Sequence, residues 1–324
     1  MDNLNKIQSY IAGFKEIQNL SIAEQYFTHN EDIIIWKLLS KCNFNCLYCL
    51  PPIVNDEANF DISTIERSFN RDNKQWLIII TGGEPFMKKN FIDIVETITK
   101  KHYIHINTNL STSNIKEFAT RINPKNVWGL NVAAHVLERE NHDKNFSNFV
   151  NNVHILQDKN FTLFISYVFY PDLINRVESD FKFFKENGMK DVTLRPYIGS
   201  CNNLSYPASY SPEELEFLRI YGDKNYELGA AVSGVSFKDN CCLAGKRTFY
   251  IDENGIARRC ESLFKNGNSE SYGNFFDDTF RIDKKEKVCT VEENICPFQC
   301  IFYAKKPQNN YFSFLKFLKF KTGK

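Results

Sequence analysis

The stretch IIIWKLLSKCNFNCLYC (33–49) joins an apolar run to three cysteines packed into eight residues. Its first part, IIIWKLL (33–39), is β-branched and aromatic, too short for a typical helix, and reads as a buried strand. The same kind of run recurs downstream at WLIII (76–80), YIHIN (103–107), VWGLNVA (127–133), FTLFISYVF (161–169) and DVTLRPY (191–197). Between them lie helix-like segments: NFIDIVETITK (90–100), FSNFVNNVHILQDK (146–159) and VESDFKFFKEN (177–187), with Gly188 at the expected C-terminal cap of the last. Strand–helix alternation predicts parallel strands with right-handed crossovers. The fold class expected is therefore α/β, a partial (β/α)6 TIM-type barrel over residues 33–200.

The segments that follow the strands carry the unusual residues. The cysteines follow the first strand, TGGEP (81–85) the second, NTNLS (107–111) the third and AHVLERE (134–140) the fourth. In a parallel α/β barrel these segments share the face at the strands' C-terminal ends, where ligands bind. Residues scattered in sequence are thus expected to converge in space.

Bulk composition narrows the class. The 324 residues are 43% hydrophobic and 15% aromatic, enough for a large core, and the formal net charge of +1 gives no basic field for nucleic acid. No apolar run approaches the roughly 20 residues that span a bilayer. The opening MDNLNKIQSYIAGF has no uninterrupted apolar core and no small-residue cleavage site, so a cytoplasmic location is expected. Ten cysteines in such a chain point to metal ligation or catalysis in place of disulfides. Eight of them form two groups: Cys42, Cys46 and Cys49, then Cys242, Cys260, Cys289, Cys296 and Cys300.

Four thiolates close a structural zinc or iron–sulfur site, whereas three leave one metal position open. In a four-iron cubane, three thiolates hold three irons and the fourth is free for a small molecule. A zinc knuckle is the alternative. The spacing Cys42-x-x-x-Cys46-x-Tyr48-Cys49 resembles the signature of the radical S-adenosylmethionine (SAM) superfamily. The resemblance implies a [4Fe-4S] cluster whose fourth iron chelates S-adenosylmethionine. One electron then breaks the sulfonium bond to give a 5′-deoxyadenosyl radical, which takes hydrogen from a substrate. It implies that Gly82, Gly83, Glu84 and Pro85 line the methionine end of the cofactor and that Asn107 and Asn109 lie near its ribose, with Tyr48 beside the cluster. Asn109 precedes Leu110 where the family often has glycine, and an Asx-turn before a helix reads equally well there. On the fourth strand Ala133 and His135 stand where many relatives carry a serine and an acid. His135 faces the substrate or is merely hydrogen-bonded in a polar loop.

The second group, Cys242-x12-Gly255-x4-Cys260 followed by Cys289, Cys296 and Cys300, resembles the SPASM domain or its short form, twitch. That implies a small C-terminal α+β domain over 201–310 with an auxiliary [4Fe-4S] cluster held by Cys242, Cys260, Cys296 and Cys300, with Cys289 as the alternative to Cys296. Zinc is the other reading. RTFYIDENGIARRC (247–260) is expected to form a hairpin with Gly255 at positive φ. SYSPEELEFL starts a helix with a Ser211/Glu214 capping box. Residues 1–32 are an N-terminal extension, and 311–324 a Phe/Lys-rich tail that either covers the barrel or cluster domain or lies on an anionic surface.

Arg195, Tyr197 and Tyr206 sit in the segment leading out of the barrel and are candidates to contact substrate, unless they only pack a linker. The first 32 residues are too short for the winged-helix peptide-binding domain of many peptide-modifying relatives. The expected activity is hydrogen abstraction from a small polar metabolite of sugar or amino-sugar type, with oxidation through the auxiliary cluster. Maturation of a ribosomal peptide (thioether, carbon crosslink or epimer) is the runner-up, and a non-catalytic zinc scaffold the third reading. The enzyme readings require an external one-electron reductant of flavodoxin or ferredoxin type.

Overall fold

A computed structural model describes residues 32–49, 58–142, 146–189, 192–221, 239, 241–242, 244–260, 270–282 and 287–290. Six parallel strands form its centre: β1 (Asp32–Leu39), β2 (Trp76–Gly82), β3 (Tyr103–Thr108), β4 (Val127–Ala133), β5 (Leu163–Phe169) and β6 (Val192–Pro196). Helices return the chain between them: α1 (Ile62–Asn70), α2 (Phe91–Thr99), α3 (Ile115–Arg121), α4 (Val136–His142), α5 (Ser147–Asp158) and α6 (Val177–Glu186). All six strands fall where the apolar runs predicted them.

β1, β2, β3 and β5 are largely buried on both faces, as parallel strands between layers are, whereas β6 keeps one face half-buried. Ile34, Trp36, Ile78, Ile80, Ile104, Ile106, Leu130 and Val132 face the helices and pack against Phe69, Ile94, Phe118 and Phe149. The opposite face starts apolar with Ile33, Ile35, Leu77 and Ile79, joined by Tyr103 and Trp128. With a period of two along each strand, the next inward positions are Lys37, Thr81 and Asn107. The inner face therefore turns polar toward the strands' C-terminal ends, and the site lies there.

Local chemistry sets the element ends. Asp61 caps α1 by accepting from Thr64 N at 2.7 Å. Gly188 ends α6 at φ +73°, with Met189 N donating to Phe184 O at 2.9 Å. After β7 (Gly199–Cys201) and β8 (Leu204–Tyr206) comes α7 (Pro212–Tyr221), which starts on the expected capping box. Ser211 N donates to Glu214 Oε2 at 2.7 Å, and Glu214 N donates to Ser211 Oγ at 3.2 Å.

Part of the C-terminal region joins the central sheet, while β7 and β8 form a small two-stranded sheet of their own. Beyond β9 (Cys241–Cys242), strand β10 (Thr248–Ile251) pairs parallel with β1, and β11 (Ile256–Arg258) and β12 (Ser271–Asn274) extend it antiparallel. The nine-stranded order is β12-β11-β10-β1-β2-β3-β4-β5-β6, with β6 and β12 at the two edges, so the sheet is open. The sheet thus crosses the boundary expected at residue 200. Asp32 at the start of β1 bonds Arg247 just before β10 at 2.6 Å, reinforcing that junction. β13 (Lys287–Val288) pairs antiparallel with β9 in a second small two-stranded sheet. No helix among the described residues is long and apolar enough to cross a membrane. The N-terminal extension and the Phe/Lys-rich tail lie outside the described residues.

Candidate active site

The cysteine loop leaves β1 at Ser40 and is held by its own turns. Cys49 N donates to Cys46 O at 3.0 Å, and Phe44 N donates to Cys42 Sγ at 3.4 Å. Phe44 is buried and stacks on His142 of α4 at 5.1 Å, while Asn45 N donates to Glu138 Oε1 at 3.1 Å. Cys42 and Cys46 are half-buried and Cys49 is exposed.

The TGGEP turn packs directly beneath this loop. Gly83 N donates to Leu39 O at 2.8 Å and Glu84 N to Lys41 O at 2.9 Å. A Cβ on Gly83 would stand 2.0 Å from Lys41 O, and one on Gly82, at φ +139°, 2.1 Å from Leu39 O. The glycines are therefore required for the approach of two backbones, independently of any ligand. Gly83→Ala is expected to lower apoprotein stability by about 1–3 kcal/mol through forced separation of the two segments. Urea denaturation reads the cost, and an unchanged midpoint would refute the packing argument.

Glu84 and Pro85 turn away from the cavity. Glu84 is fully buried, accepting from Thr108 Oγ1 at 2.7 Å, Asn109 N at 2.6 Å and Phe86 N at 3.1 Å. Burial pushes its carboxyl up to about 7 despite those bonds. Arg139, 2% exposed on α4, grips the same segment from the other side. Its guanidinium donates to Ala134 O at 2.7 Å, Ala133 O at 3.0 Å and Asn109 O, and lies 3.8 Å over the Phe149 ring. Residue 109 is thus held at its N–H by a carboxylate and at its carbonyl by a guanidinium. Asn109 also forms the expected Asx-turn, accepting from Ser111 N at 3.0 Å, and its amide donates to Asn43 Oδ1 at 3.0 Å and faces Cys42 Sγ at 3.7 Å. Leu110 takes φ +56°, the left-handed conformation a glycine would adopt freely.

These elements border a cavity of about 710 Å³ lined by the three cysteines, Gly82, Gly83 and residues at and just beyond the C-terminal ends of β3 and β4. Asn131 Nδ2 donates to Asn107 Oδ1 at 3.0 Å across its floor, and Asn131 Oδ1 is buried with no partner among the described residues. His135, at φ +43°, lines the cavity with its Nδ1 2.9 Å from Tyr48 Oη. Burial, with the Arg139 charge behind it, pushes His135 down to about 3, so the ring is neutral. Burial pushes the Tyr48 hydroxyl up, and that group stays protonated.

The three thiols fit a metal group by their chemistry. Burial raises all three, Cys46 to about 12 with help from Glu138, while the Lys37 charge draws Cys49 the other way. A metal that binds them must displace their protons. No three His, Cys, Asp or Glu side chains among the described residues meet at a single ion. The cysteines line one wall of the cavity, an arrangement suited to a cluster in which each sulfur takes its own iron.

The remaining candidates divide. Arg195 points inward from β6, close enough to His105 to help burial push that imidazole down to about 3. Tyr197 is buried, its hydroxyl donating to Ser200 O at 2.9 Å, and Tyr206 packs on Tyr197 and Tyr210; neither lines the cavity. In the second cysteine group, β9 pairs Cys242 with Lys287 and Cys241 with Val288. Arg259 donates to Val288 O at 3.0 Å, which brings the buried Cys260 and Cys289 into the same neighbourhood. Cys296 and Cys300 lie outside the described residues. Arg139, Asn131 and Ser40 were missed in the sequence. Arg139 occupies a core-facing helical position three residues after Val136, where periodicity calls for an apolar side chain.

His105 supplies a pH test. Its folded pKa of about 3 lies below the ordinary 6.5, so the unfolded chain binds the extra proton and stability is lost as pH falls below 6.5. Glu84, raised to about 7, acts in the opposite sense between pH 4.5 and 7 and masks the effect in a single curve. The difference between His105→Phe and the unsubstituted protein isolates it: the variant should gain about 2 kcal/mol relative to the parent between pH 7 and pH 5. A pH-independent difference would contradict the assignment.

Residues 36–184 match the family model of the radical SAM superfamily. Among curated proteins, GTP 3′,8-cyclase of Haemophilus ducreyi is 38% identical over 71 residues, covering 20% of this chain and 21% of that protein. The Shewanella denitrificans enzyme of the same name is 32% identical over 111 residues, covering 32% and 29%. The matches span about a fifth to a third of those relatives' length. The fold resembles anSMEcpe with bound AdoMet (TM-score 0.54, 18% identity, 77% of this chain and 78% of that one). It also resembles Streptococcus suis SuiB bound to precursor peptide SuiA (TM-score 0.56, 14% identity, 85% and 67%). Over residues 36–184, which run from β1 through the cysteine loop to α6, this chain carries a radical SAM superfamily domain.

Proposed function

We propose that this chain reductively cleaves S-adenosylmethionine and takes a hydrogen atom from a small polar substrate of sugar or amino-sugar type. The observation that carries this reading is the shared cavity: three thiols, a glycine turn and an asparagine pair border one space of about 710 Å³. That volume falls within the range that holds a drug-sized ligand, roughly 300–1,000 Å³. Radical SAM proteins carry a [4Fe-4S] cluster and bind S-adenosylmethionine; when bound, the pair supplies one-electron cleavage of the sulfonium and a 5′-deoxyadenosyl radical.

The chain's own residues bind and aim. Cys42, Cys46 and Cys49 would hold the cluster. Gly82 and Gly83 form a smooth backbone wall beside it. Asn107 and Asn131 present amide groups, one oxygen still without a partner among the described residues, to a polar ligand. The neutral His135, fixed by Tyr48, offers its second ring nitrogen to the cavity without adding charge. Val168 gives an apolar wall that excludes water from the reacting centre.

Cys242, Cys260 and Cys300, with Cys289 or Cys296 as the fourth ligand, would hold an auxiliary cluster, which would supply a one-electron acceptor for an oxidised substrate. The pairing of β9 with β13 supports Cys289 among these ligands. An external one-electron reductant feeds the first cluster. A ribosomal peptide as substrate is the second reading, favoured by the likeness in fold to SuiB bound to its precursor peptide. Deuterated candidates decide between them: label from a sugar-type substrate should appear in 5′-deoxyadenosine. Label transferred only from a peptide reverses the choice, and no 5′-deoxyadenosine from anaerobically reconstituted, reduced protein overturns both.

A further inference from the structure

The turn between β10 and β11 lies over 200 residues from the cysteine loop in sequence and touches both of its ends. Asp252 Oδ1 accepts from Asn254 N at 3.1 Å and Ile256 N at 2.9 Å, and Gly255 takes φ +81°, which makes a tight, internally bonded turn. A Cβ at Gly255 would meet Phe60 at 2.6 Å, so the turn is seated against the chain that follows the cysteine loop. Glu253 projects from this turn. Its backbone carbonyl accepts from Ala58 N at 3.2 Å. Its Oε1 accepts from Ser40 Oγ at 2.8 Å and from Lys37 Nζ at 3.0 Å. Ser40 is buried, lines the cavity and stands two residues before Cys42.

The pair is deeply placed. The Lys37 and Glu253 side chains are 13% and 12% exposed, and Glu253 Oε2 is buried with no partner among the described residues. Lys37 and Ser40, with the residue's own backbone N–H, compensate this carboxylate among those residues. Removing one member of such a pair leaves a charge stranded in a poorly solvated place. Lys37 itself stands five residues before Cys42, near the C-terminal end of β1, and shares the Glu253 carboxylate with the cavity-lining Ser40.

We propose that Glu253 is a positioning residue for the N-terminal cysteine loop. It clamps the loop at residues 40 and 58 and balances the Lys37 ammonium at the strand end from which that loop departs. The last hairpin of the sheet thereby sets both the rigidity of the loop and the net charge felt by the group the thiolates hold. This explains why β10 is paired to β1 in register: Trp36 opposite Ile251 places residue 253 level with residues 37–40. The inference rests on the cluster reading given above.

The test uses the full chain, reconstituted anaerobically with iron and sulfide. In the unsubstituted protein, the electron paramagnetic resonance signal that changes on adding S-adenosylmethionine marks the first cluster, and its midpoint potential is titrated. Glu253→Gln keeps the shape and the Ser40 contact but leaves Lys37 unbalanced, so the potential should rise, because added positive charge favours the reduced, more negative group. Lys37→Gln should lower it. Glu253→Ala should also release iron to a chelator several-fold faster. Potentials unchanged in both conservative variants overturn the proposal, whatever happens to iron release, because a purely structural role predicts that result. Absence of any S-adenosylmethionine-sensitive signal in the unsubstituted protein overturns the cluster reading beneath it, a distinguishable failure.

Discussion

Alanine at Cys42, Cys46 and Cys49 together reduces 5′-deoxyadenosine formation to background while leaving the apoprotein folded. The first half follows from ligand count: with the three thiolates gone, no other thiol lines the cavity among the described residues. The second half follows from placement. Cys42 and Cys46 are half-buried and Cys49 is exposed, all on a loop outside the apolar layers, so truncation opens no core cavity. A change in unfolding free energy within about 1 kcal/mol is expected for the metal-free protein. Two measurements settle the matter: product formation with reduced, reconstituted protein, and urea denaturation of the apoprotein. Turnover of S-adenosylmethionine at the parent's rate removes the assignment of these cysteines. Lost turnover with a collapsed apoprotein would make them structural residues.

The frame of this site was legible because its signals are local. Runs such as WLIII and YIHIN mark buried strands by composition, and the loops after them share one face by topology alone. The capping box at Ser211 and Glu214, the helix stop at Gly188 and the turn at Gly255 are short-range patterns with one physical cause each, and all three are present. What the sequence hid was long-range. Nothing in RTFYIDENG says that its strand joins β1 in parallel, since edge selection depends on which strand is left unpaired. Glu84 sits in a motif read as cofactor-lining, yet its carboxylate spends all its bonding on Thr108, Asn109 and Phe86. Its burial follows from the close packing of the Gly83 turn on the cysteine loop, where Glu84 N bonds Lys41 O at 2.9 Å and a Cβ at Gly83 would clash, a tertiary fact. The same holds for Tyr197, whose aromatic ring reads as a substrate contact but is packed among Tyr170 and Tyr206.

Arg139 shows how much of the site rests on such hidden contacts, and Arg139→Met should cost about 3 kcal/mol or more of apoprotein stability. The substituted side chain fills similar space, so the loss is polar. Three backbone carbonyls, from Asn109, Ala133 and Ala134, lose a charged donor in a buried place. The Phe149 ring loses a cation at 3.8 Å. Glu84 loses the one guanidinium that helps hold its charge. Arg139→Lys should not restore stability, because a single ammonium cannot donate to three carbonyls and cover a ring face together. A double-mutant cycle with Glu84→Gln tests whether the two charges act on residue 109 as a unit: a coupling of about 1 kcal/mol is expected, and strict additivity refutes it. Urea unfolding of the five metal-free proteins supplies every number required. A cost below about 1 kcal/mol for Arg139→Met would mean that the carbonyls find water instead. The ends of β3 and β4 would then be held by their ladder bonds alone, and the cavity would owe its shape to the strands and not to the charge pair that pins residue 109.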